Sequence, residues 1–171
     1  MSLPDYMKDS GLNADQDPLD VSDQSKTMVT NNGFFPDLSL QDLQSRYAID
    51  SSYSISRQLH LLKSAMHHVN IDLEKRYCYW SRQSYATLST VPQQQYGNEG
   101  ELVNFYCQAV YAKTMELLIE RYRSTDTSRY GLKKAEAKDI DETGRQYETE
   151  YRQAIRNIVG QRGQSVFSVL I

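Results

Sequence analysis

The stretch S-Y-S-I-S-R-Q-L-H-L-L-K-S-A-M-H-H-V-N-I-D-L-E-K-R-Y-C-Y-W-S-R-Q-S-Y-A, Ser52 to Ala86, decides the fold class. Within it Ile55, Leu59, Leu62, Met66, Val69, Leu73, Arg76 and Trp80 follow one another at alternating steps of four and three. That spacing places side chains on one face of an α-helix. Arg76 alone interrupts the apolar stripe, and an arginine can pack its stem along such a face while its head reaches outward. The pattern predicts one amphipathic helix, roughly 50 Å long at about 1.5 Å per residue. Bundle packing accounts for such a length, and so does the wall of a ring or tube.

Val91-Pro92 ends the pattern, and Q-Q-Q-Y-G-N-E-G reads as a polar loop up to Gly100. A second helix is expected from Glu101 to Ser124. Its apolar residues, among them Leu102, Phe105, Tyr106, Ala109, Val110, Met115, Leu118 and Tyr122, occupy too many faces for a simple amphipath, which places it at the centre of the bundle. After a turn around Thr125 to Gly131 the 3–4 spacing returns at Ala137, Ile140, Gly144, Tyr147, Tyr151, Ala154 and Ile158. Gly160 and Gly163 then supply a helix stop and a joint. The last residues, S-V-F-S-V-L-I, are strand-like, because β-branched and aromatic side chains favour extended backbone. A lone strand leaves its backbone groups unpaired, so this segment is expected to pair with another chain.

The beginning of the chain has a different character. Residues 1–33 hold six aspartates against two lysines, a charge of -4, while the whole chain carries -3, leaving +1 for the rest. Such a segment reads as an acidic arm, largely disordered alone. Order is expected to begin at Phe34-Phe35-Pro36-Asp37, where two adjacent rings are costly to leave in water and so anchor the arm to the body. Ser39 follows as the N-cap of a short helix, with Asp42 near its positive end. The fold class is therefore all-α: a bundle of two or three long helices (residues 34–160), the arm before it (1–33) and an extended tail after it (161–171). The 13 tyrosines suit contact surfaces better than deep cores, since each buried hydroxyl needs a partner. No apolar run approaches a membrane span, and the start lacks a secretory signal, so a cytoplasmic site of synthesis is expected.

Catalytic chemistry is hard to find. Cys78 and Cys107 form no metal or disulfide pattern and read as small buried hydrophobes. His60 and His67 share a helix face but stand roughly 10 Å apart, too far for shared coordination. The carboxylates are interleaved with basic residues, and no phosphate loop, nucleophile elbow or zinc spacing occurs. Neither an enzyme nor a cofactor is expected. Arg121, Arg123, Arg129, Lys133, Lys134 and Lys138 make the second interhelical turn the most basic region, which keeps a small helical DNA-binding or regulatory protein as the alternative. A pI near 5.6 opposes a dedicated duplex binder.

Three features occur together in order: F-F-P-D at 34–37; Glu120, Arg121, Tyr122, Arg123 and Asp126 with Ser128, Gly131, Lys133 and Lys134; and the apolar-Ser-apolar ending. In this combination the chain resembles the head-completion proteins of contractile-tailed temperate coliphages of the peduovirus type, from about Phe34 to Ile171. The resemblance implies a structural virion protein that joins the portal protein after genome packaging. Copies of the chain, usually about twelve, would close into a ring beneath the portal. A tail-completion or neck protein would bind below, packaged DNA would pass through the lumen without sequence-specific contact, and assembly would take place in the host cytoplasm. It also assigns roles. Val166, Phe167, Ser168, Val169 and Ile171 would dock on the portal; Glu120, Arg121, Tyr122, Arg123, Asp126, Lys133 and Lys134 would fix a turn within or between subunits; Phe34, Phe35, Pro36 and Asp37 would anchor the arm.

Overall fold

The computed structural model describes residues 27–47, 49, 53–126 and 134–160, with 122–126 and 134–139 as backbone only. Strand β1 (Met28–Val29) pairs antiparallel with β2 (Leu38–Ser39), and helix α1 (Leu40–Arg46) follows directly. Then come α2 (Ile55–Asp72), α3 (Glu74–Arg82) and a 3-10 turn at Leu88–Thr90. A miniature hairpin of β3 (Gln95–Tyr96) and β4 (Glu99–Gly100) leads into the two longest helices, α4 (Glu101–Asp126) and α5 (Lys134–Val159). Helix α4 packs along α5 on one side and α2 on another. Its Tyr106, Ala109, Val110, Tyr111, Ala112, Thr114, Met115 and Leu118 are all buried, as expected of a helix whose apolar residues occupy several faces. Among the described residues the fold is all-α apart from two small ladders.

The long stripe departs from a single straight helix. Helix α2 ends at Asp72, Leu73 takes φ -93 and ψ 2, and α3 continues only to Arg82, short of the expected Ala86. At this break Leu73 stays fully buried, and beyond it Tyr77 and Trp80 pack against Phe34. The stop at Arg82 is a Schellman closure. The Ser84 and Tyr85 amides donate to the Ser81 and Trp80 carbonyls, with Ser84 at φ 64, a conformation that usually falls to glycine. Ile55, read as the first core residue of the stripe, is 57% exposed because it occupies the first helical turn, beyond the reach of α4.

Ser39 caps α1 as its sequence suggests, its hydroxyl accepting from the Gln41 and Asp42 amides at 3.1 and 3.4 Å. Packed structure begins before Phe34. Val29 is buried, and Met28 and Val29 pair with the residues following F-F-P-D, so Met28 to Gly33 form part of the body and not of the arm. The polar loop is also more ordered than its composition suggests. Gly97, at φ 65, and Asn98 turn the β3–β4 hairpin. The Gln93 amide straps it down, donating to the Leu88 and Val91 carbonyls and accepting from the Leu102 amide at 2.7 Å. Gly100 lies under that strap, where a Cβ would stand 2.3 Å from Gln93 Oε1.

Candidate assembly surfaces

The F-F-P-D stretch is held by its own backbone chemistry. Asn32 accepts from the Phe34 and Phe35 amides at 3.1 Å each, a local turn that exposes the two rings to the body. Phe34 meets Tyr77 edge-on at 5.0 Å and stacks with Trp80 at 6.0 Å, while Phe35 stacks on Tyr106 at 4.7 Å. Both rings are buried. The Asp37 carboxylate accepts from the Asn31 amide at 2.7 Å, the Pro36 carbonyl accepts from the Asn31 side chain, and the Phe34 carbonyl accepts from the Leu88 amide.

Beneath this stretch lies a closed polar triangle. The Tyr106 hydroxyl donates to Asn70 Oδ1 and accepts from Asn31 Nδ2, both at 2.7 Å, and Asn70 Nδ2 donates to Asn31 Oδ1 at 2.9 Å. It joins the chain after β1 to α2 and α4. Tyrosine thus enters the deep core here, contrary to the sequence expectation, because each hydroxyl meets a partner. Tyr111 donates to the Ser39 carbonyl, and Tyr151 donates to Asp72. Burial raises the pKa of Tyr106, Tyr111 and Tyr151, with the Asp72 charge adding to the effect at Tyr151. Such shifts keep the hydroxyls neutral as hydrogen-bond donors and do not suit proton transfer near pH 7.

Arg76 behaves differently from the outward-reaching head expected of it. Its guanidinium lies near 6 Å from the rings of Tyr79 and Trp80 and donates to the Val159 carbonyl at the end of α5. A cation there satisfies an orphan carbonyl and faces the negative helix end. Gly160 follows at φ 79, with its missing Cβ 3.2 Å from Arg76 Nη2, so it suits the helix stop both in conformation and in space. The break in a hydrophobic stripe was the available signal for Arg76; its partner is far off in sequence.

Of the turn motif, Glu120 and Arg121 are both exposed. They line one groove with Leu61, Ser64, His68 and Leu117, and Glu120 also borders a second with Glu116, Asp141, Arg145 and Glu148. The side chains of Tyr122, Arg123, Asp126 and Lys134 lie outside the described residues, as do Lys133 and the whole tail from Val166 to Ile171. A further open cavity of about 560 Å³, unnoticed in the sequence, is lined by Arg46, Tyr47, Tyr96, Glu101, Asn104, Phe105, Gln108 and Glu150. Its residues come from α1, the hairpin, α4 and α5, so no local pattern could reveal it. His60, His67 and His68 are exposed. Cys78 is exposed rather than buried, because its position on α3 faces away from the Trp80 side; Cys107 is half-buried, and burial pushes its thiol up to about 11.

Among the described residues, buried polar groups join segments distant in sequence, and the open surfaces include grooves lined by residues of both charges. That is the character of a helical structural scaffold. The chain belongs to the phage head completion protein family: the model of the phage head completion protein (GPL) matches residues 29–169. The head completion/stabilization protein of Escherichia phage P2 is 30% identical over 135 residues, covering 78% of each chain. No solved structure matches significantly. Membership gives the chain a structural role in completing the phage head and a place in the virion. Among the described residues no helix is long and apolar enough to cross a membrane.

Proposed function

We propose that this head-completion protein acts as an adaptor: copies close into a ring beneath the portal, seal the DNA-filled head and present the surface to which a tail-completion or neck protein attaches. The observation that carries this reading is the fixed end of α5. Arg76, held against Tyr79 and Trp80, grips the Val159 carbonyl, and Gly160 turns the chain out of the helix from a defined point. From that point the tail would reach its partner. Val166, Phe167, Ser168, Val169 and Ile171 would add as a strand to the portal, backbone bonds supplying affinity and alternate side chains filling pockets. The body's charge of +1 outside residues 1–33 suits a lumen through which DNA must slide.

Removal of residues 164–171 tests the reading. The truncated chain should keep its helical circular dichroism and thermal midpoint yet fail to co-purify with the portal protein. Undiminished portal capture, or normal completion of heads by that variant, refutes the tail's role. A DNA-binding regulator would instead retain duplex in a gel shift with steep salt dependence, carried by Lys133, Lys134 and Lys138.

A further inference from the structure

Helix α2 carries an unbalanced outer face. From Ile55 to Ile71 it contains Arg57, Lys63 and three histidines, and the first carboxylate is Asp72, which is engaged by Tyr151. Arg57, His60, Lys63, His67 and His68 are all exposed. At about 100° per residue they fall within an arc of roughly 140°. Among the described residues neither Arg57 nor Lys63 has an ion-pair partner, whereas Lys113 and Arg152 are each paired with a glutamate. From α4, Glu120 and Arg121 border His68, and their charges offset one another.

We propose that the acidic residues 1–26 of the same chain lie along this face of α2. Charge is the first argument: Asp5, Asp9, Asp15, Asp17, Asp20 and Asp23 stand against Lys8 and Lys26. Position is the second. The described chain starts at Thr27, and β1, immediately after it, packs on α2, with Asn31 joined to Asn70. The segment before Thr27 therefore joins the body beside α2. Spacing is the third. In an extended chain side chains alternate faces, so Asp15, Asp17 and Asp23 share one side, with Asp15 and Asp17 about 7 Å apart, close to the spacing of about 9 Å that separates Lys63 and Arg57 along the helix. The contact is solvent-exposed, hence weak and salt-sensitive.

Zero-length carbodiimide coupling of the full-length chain, read by peptide mass spectrometry, tests this. Amide bonds should form between Asp15–Asp23 and Lys63 at least about threefold more often than with Lys133, Lys134 or Lys138. Their yield should fall about fivefold in 1 M salt, where the screening length is about 3 Å. Mixing ¹⁴N- and ¹⁵N-labelled chains should give links of unmixed isotope. Preference for the 133–138 lysines, mixed-isotope links, or salt-independent yield overturns the proposal. A variant with Asp15, Asp17, Asp20 and Asp23 changed to Asn bares the face without touching the body. It should retain a 20-base-pair duplex at least about threefold better than the wild type. Equal retention by both would assign the face to nucleic acid and also overturn the proposal.

Discussion

Replacing Tyr106 by Phe removes one oxygen from the centre of the Asn31–Asn70–Tyr106 triangle and leaves the ring, stacked on Phe35 at 4.7 Å, in place. Two hydrogen bonds vanish. Asn31 Nδ2 keeps the Pro36 carbonyl, but Asn70 Oδ1 loses the tyrosine proton. At about 1 kcal/mol for each neutral bond, and somewhat more for an acceptor left unsatisfied, the expected loss is about 2–3 kcal/mol. Urea unfolding should show this as a lower midpoint with an unchanged slope. Amide exchange should quicken first at Val29–Asp37, the segment that the triangle ties down, and later within α4. The triangle acts as a unit, so Asn70→Ala in the Tyr106→Phe background should cost clearly less than it does alone. A loss below about 0.5 kcal/mol, or additive effects of the two substitutions, would refute the reasoning.

Arg76→Ala should destabilise the chain by about 1–2 kcal/mol, through the lost helix-end bond and the cation–aromatic contacts, with faster exchange at residues 155–160; Arg76→Lys should lose less, because a charge stays at the helix end. Ser84→Gly should be neutral or stabilising by up to about 1 kcal/mol, since glycine takes positive φ without steric cost, and a drop in thermal midpoint would contradict the Schellman assignment. Stability should also fall in alkali. The Cys107 thiol, raised from its ordinary 9.0 to about 11, holds its proton in the folded state where the unfolded chain releases it. Its contribution is therefore full below about pH 9 and fades as pH rises toward 11, by about 2–3 kcal/mol; a urea midpoint constant to pH 11 would argue against it. At pH 8 a thiol reagent should modify exposed Cys78 well before Cys107.

Helical periodicity carried the bundle because burial on one side of a helix imprints a local repeat. The crowded apolar faces of α4 and the 3–4 spacing that led to Tyr151, Ala154 and Ile158 were readable for this reason. The Ser39 cap was readable as well, since a cap is a local event. What the sequence hid depends on distant partners. The long stripe is interrupted at Leu73, beyond which Trp80 meets Phe34 from a distant part of the chain, and nothing at position 73 announces that. Tyr106 belongs to the crowded apolar faces of α4, but the partners of its hydroxyl, Asn31 and Asn70, come from elsewhere in the chain. The β3–β4 hairpin had its signal in Gly97-Asn98, overlooked among polar neighbours. Of the residues assigned to assembly, Phe34 and Phe35 lie in the core and Glu120 and Arg121 on a groove rim.

The small helix α3 has a mechanical consequence. Trp80 meets both Phe34 and Arg76, each near 6 Å, and Arg76 holds the end of α5. Both ends of the folded body are thus moored to one nine-residue post, away from the long α4–α5 seam. Tension applied beyond Gly160 would reach the amino-terminal ladder through that post before it strained the bundle. Under such a load, faster amide exchange at residues 28–37 should precede any change in α4.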